Sequence, residues 1–243
     1  TQLRSDSYSN PDNFEATGTH TVVLSGTAQQ TVSFTDADIN DSHFNRLVLA
    51  NTSAEGVVST SAISAVEVVT HDGSPAELEV VRVEAVGLVL TQDTVFVAGA
   101  TGQVELTGTQ LDLNGHTLTV QGDLVHSEGT LQVSGGELVV TGDYRIQSPG
   151  GTHSTGYLNM TNTQDRVRVD GSFVMDSSRD HGTRLTAGEL EVKGDFTQLR
   201  SDSYSNPDNF EATGTHTVVL SGTAQQTVSF TDADINDSHF NRL

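Results

Sequence analysis

Gly115-His-Thr-Leu-Thr-Val-Gln-Gly122-Asp123-Leu124 is followed by Gly136-Glu-Leu-Val-Val-Thr-Gly142-Asp143-Tyr144. Then come Arg166-Val-Arg-Val-Asp-Gly171-Ser172-Phe173 and Gly188-Glu-Leu-Glu-Val-Lys-Gly194-Asp195-Phe196. Each run alternates apolar and polar residues, closes on Gly and a small polar residue, and resumes with a large apolar one. Alternation of period two marks a strand with one face buried. The closing glycines lie 142 − 122 = 20, 171 − 142 = 29 and 194 − 171 = 23 residues apart, and Thr217-Val-Val-Leu-Ser-Gly222 adds a looser member 222 − 194 = 28 further on. A repeat of about 20 to 30 residues made only of strand and turn predicts stacked coils, since one coil cannot bury its apolar side chains alone. The expected fold is all-β: a β-solenoid, or parallel β-helix, right-handed by the usual chirality of parallel crossovers. Leu118, Val120, Leu138, Val140, Val167, Val169, Leu190 and Val192 are its expected interior, and Leu124, Tyr144, Phe173 and Phe196 an inner stack at one corner. The alternative is a tandem β-sandwich, favoured if residues 50–100 pair as hairpins.

Outward from this block, residues 1–47 and 197–243 are identical letter for letter, an offset of 197 − 1 = 196 residues. Folding alone does not demand such identity, because cores accept many substitutions of similar volume. The duplication predicts a window on a tandem array: 1–196 is one full repeat unit and 197–243 the start of the next. At about 24 residues per coil the unit holds about eight coils and is about 38 Å long. The duplicated segment alone makes about two coils, too few to stand by itself. Residues 50–100 are the least regular part. Val57-Val58, Val66 to Val69, Leu78 to Val83 and Leu88 to Leu90 read as strands around the loop His71-Asp-Gly-Ser-Pro75, and an elaborated loop or lateral flap is expected here.

Thirty-two acidic against eleven basic residues give a formal net charge of −21. Nucleic acid and anionic membrane surfaces are therefore poor partners, whereas divalent cations and salty surroundings suit the chain. It has no Cys, so neither disulfides nor thiol chemistry are available to it. No apolar run reaches the roughly 18 residues of a membrane span, so no membrane insertion is expected. The start at Thr1, without Met or signal peptide, is expected of a piece of something longer.

Leu111-Asp-Leu-Asn-Gly-His-Thr-Leu-Thr-Val-Gln-Gly-Asp-Leu124 resembles repeats of very large secreted bacterial proteins. So do Gly136-Glu-Leu-Val-Val-Thr-Gly-Asp-Tyr-Arg-Ile-Gln-Ser148, Gly156-Tyr-Leu-Asn-Met-Thr-Asn162, Phe173-Val-Met-Asp-Ser177 and Thr217-Val-Val-Leu-Ser-Gly-Thr-Ala-Gln-Gln-Thr-Val-Ser-Phe230. Those proteins are β-solenoid adhesins and extracellular matrix or fibre proteins. The resemblance covers most of residues 100–240 and the equivalent 1–49, and fits 50–100 poorly. It implies a cell-surface or extracellular place and brings no catalytic motif.

The sharpest local motif is Thr35-Asp36-Ala37-Asp38-Ile39-Asn40-Asp41, which recurs as Asp232, Asp234, Asn236 and Asp237. Carboxylate and amide oxygens at alternate positions can wrap a hard cation such as Ca2+. A helix-flanked Ca2+ loop would need Gly where Asp41 stands and Glu where Leu47 stands, so an acidic turn that solvates one edge is the competing reading. Asp123, Asp143 and Asp195 would line up if the coils stack in this register. Like charges so close must face water, share a cation or serve as ordinary caps in Gly-Asp turns. Lys193, the chain's only Lys, reads as a solvated strand residue. No Ser-His-Asp triad, phosphate loop or His-rich metal spacing appears, and paired carboxylates mean nothing among so many acids, so the chain is read as no enzyme.

The function expected is that of a structural repeat in a giant extracellular bacterial protein, forming the shaft of an adhesin or a filament. Its partners are copies of itself, head to tail or side by side. The alternative is a carbohydrate-binding or carbohydrate-cleaving β-helix whose partner is surface polysaccharide.

Overall fold

The computed structural model describes residues 1, 3, 13–35, 37, 42–53, 56–61, 63–70, 76–85, 87–98, 102–199, 207–231 and 233–243. Among these it is all β apart from one 3-10 turn at Pro207–Phe210, and its strands pair in parallel from coil to coil: a β-solenoid. Among the described residues of 57–98 no strands pair as hairpins. Val57–Ser59, Ile63–Thr70, Ala76–Ala85 and Thr94–Ala98 all pair in parallel within the same sheet, which removes the sandwich alternative.

In the C-terminal half each coil has three sides. Side A stacks Thr94–Ala98, Thr117–Gln121, Glu137–Val140, Arg166–Val169, Glu189–Val192 and Thr217–Leu220. Side B, next along the chain, stacks Gln103–Gly108, Asp123–His126, Tyr144–Ile146, Phe173–Met175, Phe196–Gln198 and Val228–Phe230. Side C stacks Leu88–Val89, Gln110–Asp112, Thr130–Gln132 and Tyr157–Asn159, and continues through the bridges of Met160 with Leu185 and Leu185 with Ala212.

The interior follows the alternation. Leu118, Val120, Leu138, Val140, Val167, Val169, Leu190 and Val192 are all buried on side A. On side B, Leu124, Tyr144, Phe173 and Phe196 occupy one register row, with Tyr144 and Phe173 rings 5.5 Å apart and Phe173 and Phe196 rings 5.4 Å apart. An aromatic row of this kind adds ring contacts of about 0.5–1.5 kcal/mol each to the gain from burial.

One row of side A runs through the chain without a gap. Thr31 pairs with Val58, Val58 with Glu77, Glu77 with Val95, Val95 with Thr119, Thr119 with Val139, Val139 with Arg168, Arg168 with Glu191 and Glu191 with Val219. These eight steps consume 219 − 31 = 188 residues, against the 196 of the repeat. The eight left over carry the chain past one more corner. Consequently the identical segments sit on different sides. Thr31 is on side A, whereas its copy Thr227 adjoins Val228 on side B. Phe44 joins side B through Ala65, Val83 and Leu106, whereas its copy Phe240 follows His239, which bridges Glu211 on side C. Thr21–Leu24, paired with Arg46–Leu49 between sides B and A, is on side C, whereas its copy Thr217–Leu220 is on side A. Every piece has moved one side forward.

Ala76–Ala85 passes from side A to side B as one unbroken strand. Its first half pairs with Thr94–Ala98 and its second half with Gln103–Gly108, with an irregularity opposite Ile63 and Ser64.

Candidate functional site

The solenoid offers two chemically distinct features: a ladder of polar caps along the corner between sides A and B, and an apolar opening at each end.

Along the corner, the Asp143 N–H donates to Asp123 Oδ1 at 2.9 Å, and the Ser172 N–H donates to Asp143 Oδ1 at 2.8 Å. The Asp195 N–H donates to Ser172 Oγ at 3.1 Å, and the Thr227 N–H to Asp195 Oδ1 at 2.7 Å. Each corner side chain thus caps the backbone of the following coil, where the sequence suggested a cap within its own turn. Arg145 forms ion pairs with both Asp123 and Asp143, so the neighbouring carboxylates share one guanidinium. Such exposed pairs contribute modestly, about 0–1 kcal/mol. Lys193 Nζ lies 2.7 Å from Asp170 Oδ1, one coil back, and is partly exposed.

Of the cation candidates, Asp36, Asp38, Asn40, Asp41 and Asp232 lie outside the described residues. Asp234 accepts the Asn236 N–H and Nδ2–H, both at 2.9 Å, which holds its carboxyl below the usual carboxylate range. Asp237 closes the same turn, its N–H donating to Asp234 O at 3.1 Å, while its carboxyl lies beside Asp208. Burial first, and the charge of Asp237 second, push the Asp208 carboxyl up. The Asp234-Asn236 turn therefore satisfies itself, and among the described residues no group of three or more His, Asp and Glu side chains is arranged to hold a metal ion.

Four histidines are buried among the described residues: His43, His126, His181 and His216. The His181 Nδ1–H donates to Arg179 O at 3.0 Å and its Nε2 accepts the Leu158 N–H at 3.2 Å. This pattern admits only the neutral ring. Burial lowers His181, His126 and His216 to about 4. The unfolded chain, with ordinary histidines, takes up protons first as pH falls. The stability present above about pH 6.5 is therefore lost between 6.5 and 4, by up to about 1.4 kcal/mol per pH unit for each histidine. Urea melts of the chain and of His181→Gln across that window should show a shallower fall for the variant; equal slopes would exclude His181 from the effect.

The duplicated segment displays each of its surfaces twice, once open and once covered. His20 is exposed and Phe14 and Val22 are half-buried, whereas their copies His216, Phe210 and Val218 are fully buried. The difference is the coil of residues 160–199, which packs beneath the second copy. Phe196 brings its ring to 4.9 Å from Phe210, 5.4 Å from Phe230 and 4.8 Å from Phe240. The equivalent trio Phe14, Phe34 and Phe44, together with Val22, Leu24 and Val32, lines an apolar recess of about 460 Å3 at the first end. At the other end the exposure is reversed: Leu47 and Val32 are buried, while their copies Leu243 and Val228 are 72% and 42% exposed.

Polar contacts within the two copies agree. Ser42 Oγ–H donates to Asn13 Oδ1 as Ser238 Oγ–H does to Asn209 Oδ1, and Asn13 donates to Leu3 O as Asn209 does to Leu199 O. Asn209 also donates to Ser177 O at 3.1 Å, a bond supplied by the coil beneath. Sequence reasoning found the duplicate and the Asp corners. It expected contact at the ends of the stack but did not name the aromatic trio that lines the first end, whose signal was the position of Phe14, Phe34 and Phe44 within the repeated letters. No family model matches the chain, and neither a curated protein nor a solved structure does.

Proposed function

We propose that this chain is a structural tandem-repeat segment of a giant extracellular bacterial protein, the shaft of an adhesin or a filament, whose units add head to tail. The observation that carries this reading is the pair of settings of one sequence. The side of residues 13–47 that is open in the first copy is covered in the second by the end of a repeat, with Phe196 at the centre of the aromatic group. A segment kept identical and used in this way is a joint. Continuous parallel pairing then lets length grow without a new core, since each coil contacts only its neighbours. The acidic exterior keeps neighbouring shafts apart, or lets Ca2+ bridge them at the acidic turns.

The carbohydrate reading is less well supported. It calls for an aromatic groove, and the exposed large apolar side chains among the described residues are Leu3, Val23, Val89, Val228, Ile235 and Leu243, all aliphatic. Light scattering against concentration, with electron microscopy of the same samples, tests head-to-tail addition. Particles should lengthen with concentration at constant width, because an end-to-end contact that does not close gives filaments. Particles that remain single chains at the highest concentration would overturn it.

A further inference from the structure

The unit is out of step with its own coil. We infer that successive repeats present the duplicated segment on the three sides of the solenoid in turn, so that a given surface returns to the same flank only at every third repeat. The array is the reading proposed above, on which this extension rests; the phase itself is a property of the single chain.

The argument is one of register. Along side A, Thr31 reaches Val219 in eight coils, and the repeat is eight residues longer than that. Strand and corner together use about eight residues at three sides per coil, so the surplus is one side. The identical pieces agree independently: side C becomes A for Thr21 and Thr217, side A becomes B for Thr31 and Thr227, and side B becomes C for Phe44 and Phe240. A common displacement of all three pieces is a rigid turn of the segment around the axis, not a local distortion of one strand.

The joint preserves that turn. The next repeat begins on Phe196 with the same contacts, so it inherits a starting side one step further on. Three repeats, 3 × 196 = 588 residues, complete 25 coils, a whole number. At about 4.8 Å per coil the same flank recurs after about 120 Å, whereas the segment itself recurs, turned, after about 40 Å.

This sets what kind of partner the surface fits. The outward residues of the segment, Val23 among them, are offered on all sides of the shaft. A second copy of the chain lying alongside therefore meets that surface once in about 120 Å. Neighbouring shafts can be engaged from three directions, as a bundle or network requires, where an in-step repeat would build a flat, one-sided row.

The deciding contact is that of Glu77. In the observed phase it neighbours Val95, on side A. Were the copies in step, the row of Thr31 would have to join that of Thr227, which runs back along the corner through Asp195, Asp143 and Asp123 to Gln103. Glu77 would then neighbour Gln103. The chain has no cysteine, so two can be introduced without background. Glu77→Cys/Val95→Cys and Glu77→Cys/Gln103→Cys are treated with a short bifunctional thiol reagent and scored by peptide mapping. Thr31→Cys/Val58→Cys and Val95→Cys/Thr119→Cys serve as positive controls for pairing and for a folded chain. We expect the first pair to cross-link as fully as the controls and the second at least tenfold less. Cross-linking of Glu77→Cys/Gln103→Cys, or of neither pair while the controls react, overturns the phase. As the measurement is made within one chain, its outcome does not depend on whether chains associate. Failure of association with this cross-link intact would remove the array and leave the phase standing.

Discussion

Phe196→Ala is expected to cost about 3–5 kcal/mol and to split unfolding into two steps. The side chain is fully buried and faces Phe173 on one side and Phe210, Phe230 and Phe240 on the other. Deleting such a ring removes its transfer energy and leaves a cavity that parallel strands, pinned coil to coil, cannot close. Because each coil rests only on its neighbours, the loss falls on the joint between 160–199 and 209–243. Urea unfolding followed by circular dichroism should show an early transition for the last coils and a nearly unchanged one for the rest. Within the repeated letters, Phe210→Ala should cost more than Phe14→Ala by about 2 kcal/mol, since only the first of these positions is covered. Equal costs would mean that the coil beneath contributes nothing, and the joint would lose its energetic basis.

Gly194→Ala carries the second large effect, about 3 kcal/mol or more. A Cβ at this corner would lie 2.6 Å from the carbonyl carbon and oxygen of Gly171 and 2.7 Å from the Ser172 nitrogen. All three are backbone of the preceding coil, so no rotamer change relieves the contact. The Gly194 N–H also donates to Gly171 O at 2.7 Å, and moving the corner outward would break that bond. Coils therefore approach this closely only where both corners lack a side chain. Thermal melting is the direct check. A midpoint within a degree or two of the parent would show that the corner can open, and the stacking of Gly142, Gly171 and Gly194 in one row would then need another explanation.

Much of this was legible in the letters. The alternating runs gave both the strand positions and the sides they bury, because a pleated strand turns successive side chains to opposite faces whatever it pairs with. The corner row Leu124, Tyr144, Phe173, Phe196 was readable for the same reason: each follows a closing Gly by two positions, so stacking coils must bring them into line. The Asp corners were recognised as turn chemistry, but not their partners. Whether an Asp caps its own turn or the next coil depends on how far apart two corners lie in space, and spacing along the chain does not contain that distance.

The sequence by itself determined that the chain is a stack of coils, which residues fill it, and that one stretch is used twice. Only the tertiary structure decided on which side each use falls, and which surface of the segment is open. Phase accumulates over every coil between the copies. Residues 57–98 contribute the shortest coils, of 77 − 58 = 19 and 95 − 77 = 18 residues, and a strand that rounds a corner without a glycine. Identical letters cannot record their own azimuth or their own neighbours. Those follow from what is stacked between and beneath them, which is why Phe14 and Phe210, the same residue in the same sentence of sequence, are left open in one place and sealed in the other.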